Sequence, residues 1–420
     1  MAHLVARARR LGPAYDLLAA YRADGVFFER GGLGLAGAGV AERIGVGGGP
    51  DRLPTLAREV ETVLRHIRRD PAAPAPVAVG AIPFDDGRPA ELLVPERLVQ
   101  RRRPGETVAL EVFAEGLAPA DHERERWVGR ALPHAAFEEI QLRADPEPEA
   151  YAAAVREAVR RIRAGGLRKV VLARTVVVAA DRELDPKQLL WRLRAVDPDC
   201  FTFAAPELVP GTAAPVGVLV GATPELLVAK RGDRVLATPL AGSSPRFGDP
   251  GEDAASAAHL LASAKDREEH ALVVEGVEAA LAPLCEELHH PHEPEPLGTA
   301  NVWHLATPFR GRLRPGVRSV LDLVAVLHPT PAVGGSPREA ATAALAELEP
   351  IDRGWYAGPV GWVDADGDGE WAIALRCAEL TGRTARVFAG AGIVADSDPA
   401  SELEETERKF RALLDALRWG

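Results

Sequence analysis

The order of strand-like and helix-like segments is the feature that most restricts the fold of this chain. Strand-like segments come in consecutive groups separated by helices, without a regular alternation of one strand with one helix. This pattern favours an α/β protein of the α+β type, with large and mostly antiparallel sheets and with helices outside them. The strand-like segments after residue 145 are RKVVLARTVVVAA, APVGVLVGA, ELLVAKRGDRVLATPLAG, GWYAGPVGWVD, EWAIALRCAEL and RTARVFAGAGIV.

The composition of the chain changes near residue 145. Residues 1–145 are rich in glycine, proline and arginine, with short strand-like runs such as GVFFE and a helical pattern over Leu53–Arg69. The proline-containing segment Ala144–Tyr151 is typical of a connection, and the helix that follows it is predicted to end at Gly165–Gly166. We therefore place a boundary between residues 145 and 146.

Charge and cysteine content exclude several classes of protein. The formal net charge of -11 disfavours nonspecific nucleic-acid binding, which needs a basic surface. Cys200, Cys285 and Cys377 are far apart, so neither a disulfide framework nor a thiolate zinc site is expected. No apolar segment approaches the roughly 18 residues of a membrane span. We expect a cytoplasmic protein that binds neither nucleic acid nor membrane.

Three local motifs have simpler interpretations than the functions they imitate. AGAGIVA matches a dinucleotide-binding fingerprint, but it lies too near the C-terminus to open a nucleotide-binding βαβ unit. DADGDGEW resembles the start of a calcium loop, but Leu375 stands where the bidentate glutamate is needed, which favours a hairpin turn. HHPHEPE is proline-rich, and we interpret it as a surface loop.

Two acidic helical segments could together hold a hard dication. Glu402 and Glu405 are three residues apart and share a helix face, and Glu269 lies in the other segment, SAKDREEHALVV. Magnesium usually takes one or two carboxylates and leaves its other positions to water and an anionic substrate. The alternative for the helix with Glu402 and Glu405 is a negatively charged first turn that interacts favourably with the helix dipole, with Ser401 as a possible cap. The alternative for the other helix is an i,i+4 pair between Lys265 and Glu269 on a solvated face. The residues alone leave both interpretations open.

Lys169 and Glu225 are charged residues at the ends of apolar strand-like segments. Alternation along RKVVLAR places Lys169 on one face with Val171 and Ala173. Lys169 could reach solvent from a sheet edge or, in a closed pocket near a dication, supply a neutral amine. Glu225, in GATPELL, could be a solvated turn carboxylate or, in an apolar pocket, a protonated acid.

A resemblance to the chorismate-utilising enzymes, and most closely to the isochorismate synthases, runs from Tyr151 to the C-terminus. It implies a single large domain in which two extended antiparallel sheets pack together with helices outside. Residues 1–145 would be the N-terminal part of that fold and residues 146–420 its chorismate-binding catalytic region. The motifs that carry the resemblance, in the family's order and spacing, are RKVVLAR, GATPELL, TPLAGS, SAKDREEH, WHLATPF, HPTPAVGG, ELEPIDRGWYAGPVGW, ALRCAEL, FAGAGIV and SELEETERK.

The resemblance also implies residue roles for the conversion of chorismate to isochorismate. Lys169 would be the general base that activates water for attack at ring carbon 2, and Glu225 the general acid that protonates the hydroxyl leaving carbon 4. Glu269 and Glu405 would be ligands of magnesium (Mg2+), with Glu402 assisting through water. The implied substrate-binding residues are Gly242, Ser243, His304, Ala332, Arg376, Gly390 and Lys409.

The nucleophile separates the branches of this family. Anthranilate and aminodeoxychorismate synthases add ammonia and rely on a glutaminase partner, and a lysine at Lys169 favours water instead. Salicylate synthases keep the lysine and then eliminate pyruvate, whereas WHLATPF and HPTPAVGG look more like the synthases that stop at isochorismate.

A regulatory paralogue that only binds chorismate is the non-enzymatic alternative. Such a protein would be expected to lose Lys169, Glu225 or a metal carboxylate, and this chain keeps all of them. The resemblance therefore implies an isomerase, a monomer without a glutaminase subunit. It leaves open whether the product feeds siderophore, salicylate or menaquinone biosynthesis.

Overall fold

The computed structural model describes residues 4–12, 15–70, 73–116, 140–209, 211–212 and 214–418. Its α-helices are α1 (Leu17–Ala20), α2 (Arg52–His66), α3 (Pro148–Ala164), α4 (Pro186–Val196), α5 (Pro250–Ala262), α6 (Ala264–Leu281), α7 (Val320–Leu327), α8 (Arg338–Leu348) and α9 (Pro399–Arg418). Its strands are β1 (Leu4–Leu11), β2 (Phe27–Arg30), β3 (Leu33–Ala38), β4 (Glu42–Val46), β5 (Arg68–Arg69), β6 (Val77–Ala81), β7 (Ala90–Val94), β8 (Arg97–Arg103), β9 (Glu106–Ala114), β10 (Ile140–Asp145), β11 (Lys169–Ala180), β12 (Phe201–Pro206), β13 (Val218–Thr223), β14 (Leu226–Arg231), β15 (Arg234–Thr238), β16 (Leu240–Pro245), β17 (Cys285–His289), β18 (Glu295–Gly298), β19 (Val302–Ala306), β20 (Phe309–Leu313), β21 (Gly335–Ser336), β22 (Pro359–Asp364), β23 (Gly369–Ile373), β24 (Cys377–Thr381) and β25 (Thr384–Ile393).

Most of these strands belong to two large sheets. The first sheet has the order β10-β11-β25-β24-β13-β12-β2-β3-β8-β9-β1-β5, with β21 paired to β11 beside this path. The second has the order β17-β20-β15-β14-β23-β22-β6-β7-β4, and a small third sheet has the order β16-β19-β18. Among the described strands, the pairings are antiparallel except for β1 with β5, which are parallel.

The N-terminal part of the chain is built into both large sheets. In the first sheet β2 pairs with β12, which places Phe28 opposite Phe203. In the second, β6 pairs with β22, which places Val79 opposite Trp362. Residues before and after position 145 therefore share both sheets, and the boundary between 145 and 146 stays a prediction.

The main hydrophobic core contains the inner faces of the two large sheets. Phe28 and Phe203 of the first sheet cluster there with Val79 and Trp371 of the second. Helices cover the outside, and Phe410 of α9 is among the buried residues of a separate cluster on the first sheet. The predicted pair of packed, mostly antiparallel sheets with helices outside is confirmed.

The segment before β17 forms two helices, α5 and α6, whereas the helical pattern of residues 253–284 in the sequence predicts one continuous helix. The break is at Ser263, whose backbone is extended (φ -68, ψ 116) and whose side chain accepts a hydrogen bond from the backbone N of Asp266. A serine that serves as the N-cap of the following helix has a non-helical backbone, so the preceding helix cannot continue through it. The cap restarts the chain as α6 and places Glu269 near the beginning of that helix.

The two loop interpretations are confirmed. Asp364 Oδ1 accepts hydrogen bonds from the backbone N atoms of Asp366 and Asp368, both at 3.0 Å, and closes the turn between β22 and β23. Residues 290–294 connect β17 to β18 and are mostly exposed. Among the described helices, none is long and apolar enough to cross a membrane.

Candidate active site

A cavity of about 700 Å³, a volume that includes its open mouth, is bordered by α6, α9, β16, β19 and β25. We call it the active-site cavity. The predicted site residues that line it are Glu225, Gly242, Ser243, Glu269, His304, Ala332, Arg376, Gly390, Glu405 and Lys409. Lys169 and Glu402 are not part of the lining. Five separate elements thus bring most of the predicted residues to one place.

Lys169 is fully buried at the first position of β11. Its Nζ lies 3.0 Å from Oε1 of Glu269, which lines the cavity. This contact does not have the geometry of a hydrogen bond, and Lys169 Nζ has no hydrogen-bond partner among the described residues. Of the two interpretations of this lysine, the structure excludes the solvent-exposed edge position.

Gly392 makes room for the Lys169–Glu269 pair. It faces Val171 in the pairing of β11 with β25. A Cβ atom at Gly392 would lie 2.0 Å from Glu269 Oε1 and 3.0 Å from Lys169 Cε. Any side chain here would therefore displace the pair, which gives a second reason, besides backbone access, for glycine in the FAGAGIV motif.

Glu225 is buried immediately before β14 and lines the cavity. Burial raises the pKa of Glu225 to about 8, against the opposing positive charges of Lys169 and Lys409. A carboxyl group with this pKa is mostly protonated at neutral pH and can donate a proton. The predicted acid is therefore in the protonation state that its role requires.

His304 and Arg376 form a buried pair on the cavity wall. His304 Nδ1 lies 2.9 Å from the carbonyl oxygen of Gly242, and Arg376 Nη2 donates to His304 Nε2 at 2.8 Å. A carbonyl only accepts and a guanidinium only donates, so the ring carries its proton on Nδ1. Burial and the charge of Arg376 lower the pKa of His304 to about 3, so the imidazole stays neutral and orients Arg376.

The backbone at Arg376 is held in an unusual conformation. Its φ angle is 46°, in the left-handed region that residues with a side chain seldom adopt. Such a conformation costs on the order of 1–3 kcal/mol and persists where the surrounding structure imposes it. Arg376 has this conformation in the connection between β23 and β24. Its guanidinium contacts His304 and lines the cavity.

Lys409 connects α9 to the glycine-rich strand β25. Its Nζ donates to Glu405 Oε1 at 2.6 Å and to the carbonyl oxygen of Gly390 at 2.8 Å. Burial acts to raise the pKa of Glu405, but the neighbouring charge of Lys409 prevails and lowers it. Glu405 is thus an ionised carboxylate inside the cavity.

Glu402 lies one turn before Glu405 and is almost fully buried. Its Oε1 accepts a hydrogen bond from Lys265 Nζ at 2.5 Å. Burial and the charge of Glu405 raise the pKa of Glu402 to about 7, although Lys265 opposes the shift. Glu402 is therefore a partner of Lys265, behind the cavity wall.

Two carboxylates of the cavity lining, Glu269 and Glu405, are the candidates for metal ligands. No group of three or more His, Cys, Asp or Glu side chains in the described part of the chain is arranged to hold one. Glu269 and Glu405 nevertheless line one cavity from two helices, and their hard oxygen donors suit a dication that takes its remaining ligands from water and substrate. The two carboxylates are compatible with a divalent cation, whereas magnesium itself and Glu402 as a water-bridged third ligand stay predictions.

The structure adds residues that sequence reasoning did not select. Arg353 and Tyr356 line the cavity, and Tyr356 stacks on Phe388 with ring centroids 4.9 Å apart. Both lie in the motif ELEPIDRGWYAGPVGW, but this sequence does not show which residue of a long motif faces a site. The helical spacing of the sequence suggests Lys265 only as a surface partner of Glu269, whereas in the structure its ammonium pairs with Glu402.

Comparisons with known proteins find relatives that match most of this chain. The family model described as "Chorismate binding enzyme" matches residues 10–418. A putative isochorismate synthase MenF of Mycobacterium tuberculosis is 45% identical over 374 residues, which is 86% of this chain and 93% of that protein. Isochorismate synthase DhbC of Bacillus subtilis is 38% identical over 405 residues, 96% of each chain.

A solved structure extends the similarity to three dimensions. It is the crystal structure of a putative 2,3-dihydroxybenzoate-specific isochorismate synthase, DhbC, from Bacillus anthracis. The TM-score is 0.82 at 35% sequence identity, covering 96% of this chain and 99% of that chain. The similarity therefore includes the N-terminal part, where the sequence motifs are weakest.

Proposed function

The chain belongs to the chorismate-binding enzyme family, and we propose that it is an isochorismate synthase, an isomerase that converts chorismate to isochorismate. The observation that carries the proposal is that a candidate base and a candidate acid are both buried next to one cavity. Glu225 lines the cavity, and Lys169 contacts Glu269 of its lining. Lys169 is a buried amine without a hydrogen-bond partner among the described residues, and Glu225 is a buried acid whose pKa is raised to about 8. This is the arrangement that general base and general acid catalysis need.

In the proposed reaction Lys169 accepts a proton from water as the water oxygen bonds to ring carbon 2. The ring double bonds shift, and the bond between carbon 4 and its hydroxyl group breaks. Glu225 donates its proton to the departing hydroxide, which leaves as water. One water is consumed and one released, so the product is an isomer of the substrate. Proton return from Lys169 to Glu225, directly or through solvent, restores the enzyme.

The remaining lining residues would bind and orient the substrate. Arg376, held by His304, and Lys409 offer positive charge to the two carboxylates of chorismate. Gly242, which has a φ of +67°, and Gly390 let the backbone approach the ligand closely, with Ser243 and Ala332 beside them.

Glu269 and Glu405 would hold magnesium, with Glu402 assisting through water. When bound, the ion would neutralise a substrate carboxylate and fix its position. Lys169 contacts Glu269, and Lys409 contacts Glu405. We also propose a cytoplasmic monomer that needs no glutaminase subunit.

Product analysis tests this function directly. The protein is incubated with chorismate and magnesium, without ammonium, and the products are separated by chromatography. Isochorismate as the only new product is expected. Release of pyruvate with salicylate would show that the reaction continues, and an absence of turnover unless ammonium is added would place the chain with the amine-adding enzymes. Lys169→Gln should abolish product formation, whereas Lys187→Gln, on α4 away from the cavity, should leave it unchanged.

A further inference from the structure

A second cavity lies on the other side of the wall that carries Arg353. Its empty volume is about 1710 Å³, including the open mouth. Residues of α2, α7 and α8 line it together with the segments around residues 84–86 and 350–354. We call it the second cavity. The proposed reaction assigns no role to the residues that line the second cavity. Arg353, in the wall, also lines the active-site cavity.

Two arginines in the second cavity lack carboxylate partners. Arg52 is 3% exposed, and its guanidinium donates to backbone carbonyls of Pro83 and Asp85. Its Nε has no hydrogen-bond partner among the described residues. Arg338 donates to the carbonyls of Val326 and Leu327 at the end of α7. Backbone carbonyls satisfy hydrogen bonds but carry no negative charge, so the two arginines are opposed only by the nearby charges of Asp85 and Asp86.

His328 is a third polar residue that lines the second cavity. It is 4% exposed, and neither ring nitrogen makes a hydrogen bond of regular geometry in the part of the chain that the structure describes, although the backbone of Phe84 is close enough to favour the protonated ring. Burial lowers the pKa of His328 to about 3, so the ring is neutral and offers one donor and one acceptor. Buried polar atoms without partners are uncommon and indicate a missing ligand or water.

The rest of the lining combines apolar surface with four carboxylates. Phe84, Leu53 and Leu345 supply the apolar surface. Three of the carboxylates have partners: Glu349 pairs with Arg353, Asp352 with Arg88, and Asp85 accepts from the backbone N of Gly87. The charge of the fourth, Asp86, acts on both Arg52 and Arg338, and the charge of Asp85 also acts on Arg52.

We propose that the second cavity binds a small organic carboxylate with a flat apolar body. The carboxylate would pair with Arg52 and Arg338, His328 would supply a further hydrogen bond, and the apolar body would lie against Phe84 and Leu345. This combination of convergent polar groups with an apolar wall is typical of small-molecule sites.

The wall between the two cavities gives such a ligand a route to the active site. Arg353 lines both cavities and donates to Glu349 and to the carbonyl oxygens of Val333 and Val171, two residues of the active-site lining. Glu349, which lines the second cavity, also accepts from the backbone N of Ala173 on the strand that begins with Lys169. If the proposed function holds, occupancy of the second cavity should therefore change turnover of chorismate without competing with it.

Benzoate is the probe for a binding test by isothermal titration or NMR on the full-length protein. A probe of this size is expected to bind with a dissociation constant on the order of 1 mM. Ala346→Phe fills the second cavity from an exposed position of α8 and should abolish binding. Its matched control is Ala343→Phe, which is also exposed on α8 but does not line the cavity, and which should bind like wild type.

Charge variants test the ligand class. Arg338→Gln should weaken benzoate binding about two- to fivefold, and Asp86→Asn should tighten it by a similar factor. Lys409→Gln should leave it unchanged, because that residue belongs to the active-site cavity. Absence of saturable binding, equal loss in both α8 variants, loss only in Lys409→Gln, or weaker binding in Asp86→Asn would each overturn the proposal. These readouts need no turnover, so they stand apart from failure of the proposed function.

Discussion

Two buried ion pairs contact β11, and they differ in how completely their polar atoms are bonded. Arg353 Nε and Nη2 donate to the two oxygens of Glu349 at 2.6 and 2.8 Å, and Arg353 also donates to two backbone carbonyls. Lys169 Nζ lies 3.0 Å from Glu269 but has no hydrogen-bond partner within the described residues. Both pairs are buried, so burial alone does not distinguish them.

The difference separates a structural pair from a chemical one. A buried charge is tolerated when every donor is bonded, and the forked geometry of Arg353 with Glu349 meets that condition. Lys169 Nζ has no such bonds and contacts Glu269 of the active-site lining, so as a neutral amine it would be able to accept a proton from water there. We therefore expect changes at the first pair to act on stability and changes at the second to act on turnover.

The largest expected effect is the loss of turnover on removal of magnesium. Dialysis against EDTA should abolish isochorismate formation and added magnesium should restore it, because Glu269 and Glu405 would hold the ion that fixes a substrate carboxylate. The thermal midpoint of unfolding should change little, since the Arg353–Glu349 pair does not depend on the metal. Full activity in metal-free buffer would remove the metal assignment.

Lys169→Gln should have the next largest effect, lowering the rate on the order of 10²–10⁴-fold by removing the general base. Substrate affinity should fall much less, because Arg376 and Lys409 remain. The measurement is the single-turnover rate at saturating chorismate, which separates the chemical step from binding. A variant with a near-normal single-turnover rate would show that another group activates the water.

Glu349→Gln should act in the opposite way, on stability. Breaking a buried ion pair from one side costs about 3–5 kcal/mol in unfolding free energy, because it leaves a buried charge uncompensated. Denaturant titration measures this loss. Glu347→Gln is the matched control, because Glu347 is exposed on the same helix and should change the unfolding free energy by less than about 1 kcal/mol. Equal stability of the two variants would contradict the comparison.

The sequence is sufficient to predict the sheet architecture and most of the site. Segments rich in β-branched residues predict strands such as β11. The order of the family motifs predicts that residues as distant in sequence as Glu225 and Glu405 belong to one site, and both line the active-site cavity. Sequence could not choose between alternatives that depend on burial. Lys169 was compatible with an exposed edge as well as a closed pocket, and only three-dimensional packing decides which of these applies.

Residues that act through space were the hardest to predict. Lys265 lies 137 positions before Glu402 in the chain, and nothing in the local pattern relates their charges. Gly392 could be recognised as a glycine of a motif, but its steric role depends on Glu269 from another element. The break at Ser263 was missed because a serine within a long helical pattern is compatible with both continuation and capping.

The smallest predicted effect concerns Glu225, which extends the comparison of the two buried ion pairs to a third buried group. Glu225 must be protonated to act as the acid, so turnover should decline by about tenfold per pH unit as pH rises above its pKa of about 8. Glu207 is the matched control, because burial also raises its pKa to about 8 but it does not line the active-site cavity. Glu225→Gln should remove the descending limb of the pH–rate profile, and Glu207→Gln should keep it.

Stability gives the same two residues a second, independent readout. Each carboxyl has a folded-state pKa raised from 4.5 to about 8, so the folded protein binds more protons than the unfolded chain within that interval. The unfolding free energy should therefore decrease as pH rises from 4.5 to 8, and either glutamine variant should flatten this decrease. Only Glu225→Gln should also change the rate profile. If Glu207→Gln moved the descending limb as well, that limb would report global stability, and the assignment of Glu225 as the acid would lose its support.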